Sequence, residues 1–172
     1  KMLDIFKILN NLRSELLYNA YANLDVVITG YTHMQPAEPI TFAHYISGML
    51  FSLERDFIRL NQAYQHLNLC PLGSAALAST SFPINRMMTA ELLGFDDILY
   101  NSLDGVASRD YVLEIISSLN ALLTTLSRVS HDLYIWLTNE FSVIEIDDSV
   151  AAVSSIMPQK KNPIILEHIK SK

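Results

Sequence analysis

One long apolar segment, at about residues 105–138, constrains the fold of this chain more than any other feature. Its apolar side chains recur every three or four positions, the spacing of a helix that is apolar on most sides. About 33 residues at 1.5 Å each would span roughly 50 Å. A compact globule of this chain length is only about 40 Å across. We therefore expect other subunits to cover this helix.

Composition and charge narrow the class of protein further. Half of the 172 residues are apolar and the net charge is −6, which argues against a nucleic-acid-binding protein. The longest charge-free stretch runs only from Ile115 to Ser127, and a membrane span needs about 20 apolar residues. The long segment is thus predicted to be a buried helix of a soluble, cytoplasmic protein without a membrane partner. The single cysteine, Cys70, excludes a disulfide framework and a cysteine-based zinc site, and we expect it to be a small core residue.

The apolar spacing predicts an all-α fold with four helical segments, at about 2–24, 40–66, 84–93 and 105–138. Three polar linkers remain, at 25–39, 67–83 and 139–162, and strand signals are weak, at Val26–Ile28 and Val143–Ile146. Gly94 is predicted to end the third helix. The sequence begins within one helical pattern and ends in the first turns of another. We therefore expect residues 1–172 to be one helical domain of a longer protein.

The linker at residues 29–39 reads TGYTHMQPAEP and leads directly into an apolar helix. His33 stands among hydroxyl and amide side chains, so it can carry a proton near neutral pH. The alternative is a loop histidine that caps a neighbouring group. These residues alone do not decide between the two.

The linker at residues 154–163 reads SSIMPQKKNP. Asn162 and Pro163 are predicted to be the N-cap and first residue of a helix. This helix end and the pair Lys160 and Lys161 form a local positive site that suits a carboxylate. Ser154 and Ser155 precede it, and a serine acts as a base only when its alkoxide is stabilised. The alternative is an ordinary basic loop before a capped helix.

Together the two linkers resemble the fumarase/aspartase superfamily of lyases, and most of all its argininosuccinate lyase and delta-crystallin branch. Residues 154–163 are similar to the superfamily signature GSSxMPxKxNP, and residues 30–39 to the Thr-His loop of that branch. Further matching stretches lie between them, at 71–78, 82–86, 91–95, 101–104 and 108–114.

The resemblance implies a long-helix bundle that contributes to the twenty-helix core of a homotetramer. It also implies active sites shared between subunits, with the two linkers supplied by different chains. The implied reaction is anti elimination of an amine from a fumaryl-amine substrate, most simply argininosuccinate to arginine and fumarate, with no cofactor and no metal. Two alternatives stay open: a non-catalytic, crystallin-like homologue, and a lyase of the adenylosuccinate or aspartate ammonia-lyase type.

The resemblance also assigns roles, residue by residue. Ser154 is the base, and Lys160 and Asn162 bind a substrate carboxylate and stabilise the developing charge. Thr32 and His33 bind substrate and assist proton transfer, Glu167 orients that histidine from another subunit, and Gln35 is a further substrate contact. The chain departs from the pattern at Ala152-Val153, where Thr-Gly is usual, and at Pro36, where Arg or Lys is usual. Because valine is stiffer than glycine, we expect a less mobile loop.

Overall fold

The computed structural model describes residues 1–171 and is mainly helical, which confirms the predicted class. The described helices are α1 (Met2–Ala22), α2 (Phe42–Leu67), α3 (Arg86–Leu93), α4 (Ser102–Ala107), α5 (Asp110–Trp136) and α6 (Ile164–Lys170). The described strands form three two-stranded sheets: β1 (Val27–Thr32) with β2 (Gln35–Thr41), β3 (Leu69–Cys70) with β4 (Asp97–Ile98), and β5 (Ala152–Val153) with β6 (Lys161–Asn162).

The prediction of one continuous helix at 105–138 is wrong at its beginning. The Asn101 side chain accepts hydrogen bonds from the backbone N–H groups of Leu103 and Asp104, which begins α4. Ser108 then adopts an extended backbone, with φ −66° and ψ 140°, and ends α4. The 27 residues of α5 span about 40 Å. The length of α5 alone therefore does not imply that other subunits cover it. The case for assembly depends on which side chains of α5 are exposed.

The predicted linker at 25–39 is also wrong, because most of it forms the β1–β2 hairpin. Between the pairs Thr29–Pro39 and Tyr31–Pro36, β2 holds one residue more than β1, which produces a bulge. Gly30 lies there, and a Cβ atom on it would come within 2.7 Å of the Glu38 carbonyl oxygen. The sheet tolerates two prolines in β2 because a two-stranded sheet leaves each strand with a free edge.

The chain divides into two compact units. The first comprises Lys1, residues 3–55 and residues 120–172, and the second comprises Met2 and residues 56–119. The core of the first unit is a cluster of small and apolar side chains from α1 and α2, against which Val129 of α5 packs. Its buried members are Ala20, Ala43, Ile46 and Met49.

The second unit has a smaller core around Cys70, Ala90 and Ile98. Cys70 is fully buried there, which confirms its predicted role as a core residue. Helix α3 begins after Asn85, whose side chain accepts the Met88 N–H, and ends at Gly94 in the left-handed conformation, as predicted. The arginine at the start of α3, Arg86, donates to the carbonyl oxygens of Leu72 and Leu99 and so fastens the preceding loop.

Helix α5 is the one described helix that is long and apolar enough to cross a membrane, judged by length and composition alone. The core helix of a soluble protein meets the same two criteria. Little of its most apolar stretch is buried within the chain itself. Its side chains at Leu113, Ile116 and Leu123 are each about half exposed or more. This chain by itself therefore does not bury α5, although the sequence predicts a buried helix.

Candidate active site

The first predicted site segment is the tip of the β1–β2 hairpin, residues 32–35, which we call the Thr-His turn. Thr32 pairs with Gln35 across a two-residue connection made of His33 and Met34. Both connecting residues have positive φ, 53° and 62°, as a type I′ turn requires. Glycine and asparagine usually occupy these positions, so this backbone is strained. The turn presents the His33 side chain, which is exposed, at the tip of the hairpin.

The second segment is the loop of residues 154–160, which we call the Ser154 loop. Strands β5 and β6 close it, with Ala152 opposite Asn162 and Val153 opposite Lys161. Ser154 and Lys160 therefore occupy the next two positions, at opposite ends of the loop. The Ser154 Oγ accepts hydrogen bonds from the backbone N–H of Met157 at 3.2 Å and of Ile156 at 3.4 Å. These N–H groups are the kind of donor that stabilises negative charge on oxygen.

The predicted capping role of Asn162 is wrong. Helix α6 begins at Ile164, its N-cap is Pro163, and no side chain caps it. Asn162 instead pairs with Ala152 in the β5–β6 sheet. Because α6 begins one residue too late for Asn162 to be its N-cap, Asn162 serves instead to close the Ser154 loop at its second end.

The two lysines differ in their surroundings. Lys161 Nζ lies 2.5 Å from Asp148 Oδ1 and 3.3 Å from Glu145 Oε1, so two carboxylates balance its charge. Within residues 1–171 the exposed Lys160 side chain has no such partner. The positive site predicted from both lysines is therefore provided by Lys160 alone.

All seven predicted site residues lie in the first unit. Glu167 is exposed in the first turn of α6, seven residues after Lys160 at the end of the Ser154 loop. No hydrogen bond or ion pair of the described residues joins the Thr-His turn to the Ser154 loop or to Glu167. The same residues contain no group of three or more His, Cys, Asp or Glu side chains placed to hold a metal ion.

A cavity of about 740 Å³ lies in the first unit beside the Thr-His turn. Thr32 and Glu38 of the hairpin, Tyr45 of α2, and Asp132 and Trp136 of α5 are among its lining residues. In its lining, the Tyr45 hydroxyl donates to Asp132 Oδ2 at 2.8 Å, and the Tyr45 ring lies 4.3 Å from that of Trp136. Burial, together with the bonded and negative Asp132, raises the pKa of Tyr45 well above its ordinary value.

Sequence reasoning missed the partnership of Tyr45 and Asp132. Nothing in the sequence around Asp132 indicates a distant partner. Its observed partner is 87 residues away in the chain. No local sequence pattern predicts such a contact, because Tyr45 and Asp132 come together only when helices α2 and α5 pack against each other.

The helical fold and the two site segments are similar to those of the fumarase/aspartase superfamily of lyases. A family model described as a lyase matches residues 1–172, and the chain belongs to this family. The resemblance drawn from the two site segments is thereby confirmed.

Two curated relatives are argininosuccinate lyases. The chain is 57% identical to argininosuccinate lyase 1 of Shouchella clausii over 172 residues, all of this chain and 34% of that protein. It is 46% identical to argininosuccinate lyase of Acetivibrio thermocellus over 172 residues, or 38% of that protein. The chain thus spans about a third of the length of the curated relatives it matches.

Solved structures agree with this family. The crystal structure of EDDS lyase in complex with formate is 40% identical, with a TM-score of 0.95 over 99% of this chain and 34% of that chain. A class II fumarase from Schistosoma mansoni is 20% identical, with a TM-score of 0.80 over 97% of this chain and 40% of that chain. The fumarase shows a shared fold only.

Proposed function

We propose that the protein containing this chain is a carbon–nitrogen lyase of the argininosuccinate lyase type, which eliminates arginine from argininosuccinate and releases fumarate. The observation that carries the proposal is the Ser154 loop, in which a serine that accepts hydrogen bonds from two backbone N–H groups stands across the loop mouth from Lys160. Residues 1–172 would be the central helical domain of each subunit.

The chemistry follows from these groups. The Ser154 alkoxide removes the proton from the carbon next to a substrate carboxylate, and the N–H groups of Ile156 and Met157 stabilise that alkoxide beforehand. The electron pair left on carbon moves onto the carboxylate, where Lys160 and Asn162 stabilise the added charge. It then forms the new carbon–carbon double bond as the C–N bond breaks. Ser154 keeps the proton taken from carbon, and the departing nitrogen receives a proton through His33, so fumarate and arginine are the products.

The other predicted residues complete the site across subunits. Thr32 and Gln35 frame the strained turn that presents His33. Because this turn makes no hydrogen bond or ion pair with the Ser154 loop among the described residues, we propose that a second subunit brings the two together. Glu167 of one chain then orients His33 of another. We propose a cytoplasmic homotetramer that needs no cofactor or metal.

The likeness to EDDS lyase favours a second candidate substrate. That likeness covers 99% of the chain at a TM-score of 0.95. The departures at Pro36 and Val153 directly adjoin the Thr-His turn and the Ser154 loop, the two segments that would contact substrate. An elimination with the same Ser154 chemistry but a different amine leaving group is therefore the second candidate.

The complete protein should be incubated separately with argininosuccinate, EDDS, adenylosuccinate and aspartate while fumarate formation is followed by ultraviolet absorbance. We expect fumarate from argininosuccinate. Ser154→Ala should lower the rate about 10²- to 10⁴-fold, because a positioned base contributes that much. Ser155→Ala, which removes the neighbouring hydroxyl, should have a far smaller effect.

Each of the other possible results would support a different function. Fumarate from EDDS alone would establish the second candidate, and from adenylosuccinate or aspartate alone another lyase type. Release from none of the four would favour the crystallin-like structural homologue. Equal loss in Ser154→Ala and Ser155→Ala would contradict the assignment of Ser154 as the base.

A further inference from the structure

An acidic segment precedes β5 and is tied to β6. This segment, residues 145–148, contributes Glu145 and Asp148, and both carboxylates form ion pairs with Lys161 Nζ, at 3.3 and 2.5 Å. The segment is itself shaped by a turn, in which Asp147 accepts the backbone N–H of Ser149 at 2.8 Å and its carbonyl oxygen accepts that of Val150. The ion pairs therefore link the chain entering the Ser154 loop to the strand leaving it.

The function proposed for the loop does not use Lys161. The superfamily signature that residues 154–163 resemble leaves this position open, since it has x between the lysine and the asparagine. The two carboxylates also raise the pKa of Lys161 through their hydrogen bonds, so its ammonium group stays charged and engaged. An ammonium already paired with two carboxylates is a poor ligand for a substrate carboxylate.

The strands that close the loop are too short to hold it alone. Each of β5 and β6 has two residues, and Val153 and Lys161 form the last pair before Ser154 and Lys160. Even a complete isolated hairpin is marginally stable in water. An additional contact at the last pair therefore decides how often the loop ends are aligned.

We propose that Lys161 is a positioning residue: by pairing with Glu145 and Asp148 it holds β5 against β6 and so keeps Ser154 and Lys160 at the spacing that the elimination requires. This proposal deepens the proposed function and rests on it for its catalytic part. The structural part, anchoring of the loop, stands on the ion pairs. Because these groups are largely exposed, the pairing shifts the equilibrium between aligned and open loops by at most about fivefold.

The test uses the complete protein and three variants. Lys161→Met removes the ammonium group and keeps the chain length, whereas the double variant Glu145→Gln/Asp148→Asn removes both carboxylates. The exchanged variant Lys161→Glu/Asp148→Lys restores an ion pair with the charges reversed. Lys7→Met, at an exposed position of α1, is the matched control. Two properties are measured: hydrogen exchange of the amides at 152–162, and kcat and KM for fumarate release.

We expect Lys161→Met and the double variant each to speed exchange at 152–162 and to lower kcat about three- to fivefold, with exchange elsewhere unchanged. Combining the two should add little, because both remove the same contact. The exchanged variant should recover most of the loss, which a merely structural loss of the lysine stem would not allow.

The proposal is overturned if Lys161→Met behaves like Lys7→Met in both measurements. It is also overturned if Lys161→Met lowers kcat while the double variant does not, since Lys161 would then act without its carboxylates. Failure of the proposed function is a separate result, in which the unaltered protein releases no fumarate from any substrate. The exchange measurement alone then decides whether Lys161 anchors the loop.

Discussion

At the scale of single residues, the Thr-His turn has a strained backbone in a segment that we propose to be functional. His33 and Met34 both have positive φ, at 53° and 62°, although neither is glycine or asparagine. Backbone strain of this kind costs on the order of 1–3 kcal/mol per residue and persists where the surroundings impose it. The hairpin imposes it here, because two-residue connections between antiparallel strands favour the primed turns, and type I′ has positive φ at both connecting residues.

Replacing Met34 should release part of that strain. Met34→Gly is expected to stabilise the protein by about 1 kcal/mol, since glycine adopts positive φ without a steric penalty. The gain appears as a higher Tm of the complete protein. The matched control is Gly94→Ala at the end of α3, where φ is 79° and the space for a Cβ atom is open. That change should lower the Tm by backbone strain alone. A lower Tm for Met34→Gly would show that the turn is not strained.

At the scale of elements, helical periodicity predicted most of the helix bounds. It did not predict the break before α5 or the β1–β2 hairpin. The apolar spacing predicted α1, α2 and α3 to within about two residues at most ends, because a buried stripe must recur every turn. It could not show the break at Ser108 and Arg109, because apolar residues recur on both sides of it and the end of α4 is set by the extended backbone of Ser108. The β1–β2 hairpin was missed because two prolines and a bulge conceal its alternation.

The packing of α2 against α5 through Tyr45 and Asp132 makes a prediction about pH. Tyr45→Phe removes the hydrogen bond to Asp132 and should lower stability near neutral pH by about 1 kcal/mol. The raised pKa of Tyr45 means that folding favours the protonated phenol. The contribution of the protonated Tyr45 phenol to the free energy of unfolding is therefore complete below the ordinary pKa of 10.0. It declines as the pH rises above that value.

Thermal unfolding of the complete protein at pH 7 and at pH values above 10 checks this expectation. The difference in Tm between the unaltered protein and Tyr45→Phe should narrow as the pH rises. Tyr18→Phe serves as the control, because the Tyr18 side chain is exposed on α1. A constant difference across the pH range would mean that the phenol of Tyr45 is not protected by folding.

At the scale of the whole molecule, exposed apolar surface is the remaining argument for assembly. Leu113 and Ile116 of α5 are 68% and 57% exposed in the chain by itself. Phe51 and Ile58 of α2 are also exposed, at 69% and 47%. A soluble monomer rarely leaves so many large apolar side chains in water. These faces are where we expect the proposed subunits to meet.

A charge on such a face should weaken the assembly. Ile116→Glu in the complete protein is expected to shift sedimentation from tetramers toward smaller species, because an unpaired carboxylate is costly to bury. Fumarate release should fall with it if active sites are shared between subunits. Asn11→Glu adds the same charge at an exposed polar position of α1 and should change neither property. A complete, unaltered protein that sediments as a monomer would contradict the assembly itself.

The sequence by itself determined the helical class, the family and the two segments proposed to carry the chemistry, because periodicity and motif are local properties of the chain. Only the tertiary structure decided how those segments are held. It placed His33 in a strained turn, put Asn162 in a strand instead of a cap, and paired Lys161, and not Lys160, with Glu145 and Asp148. It also joined Tyr45 to Asp132. Each of these features depends on groups that are separated along the chain. Helix packing and strand pairing bring these groups together, and no periodic pattern in the sequence records such contacts.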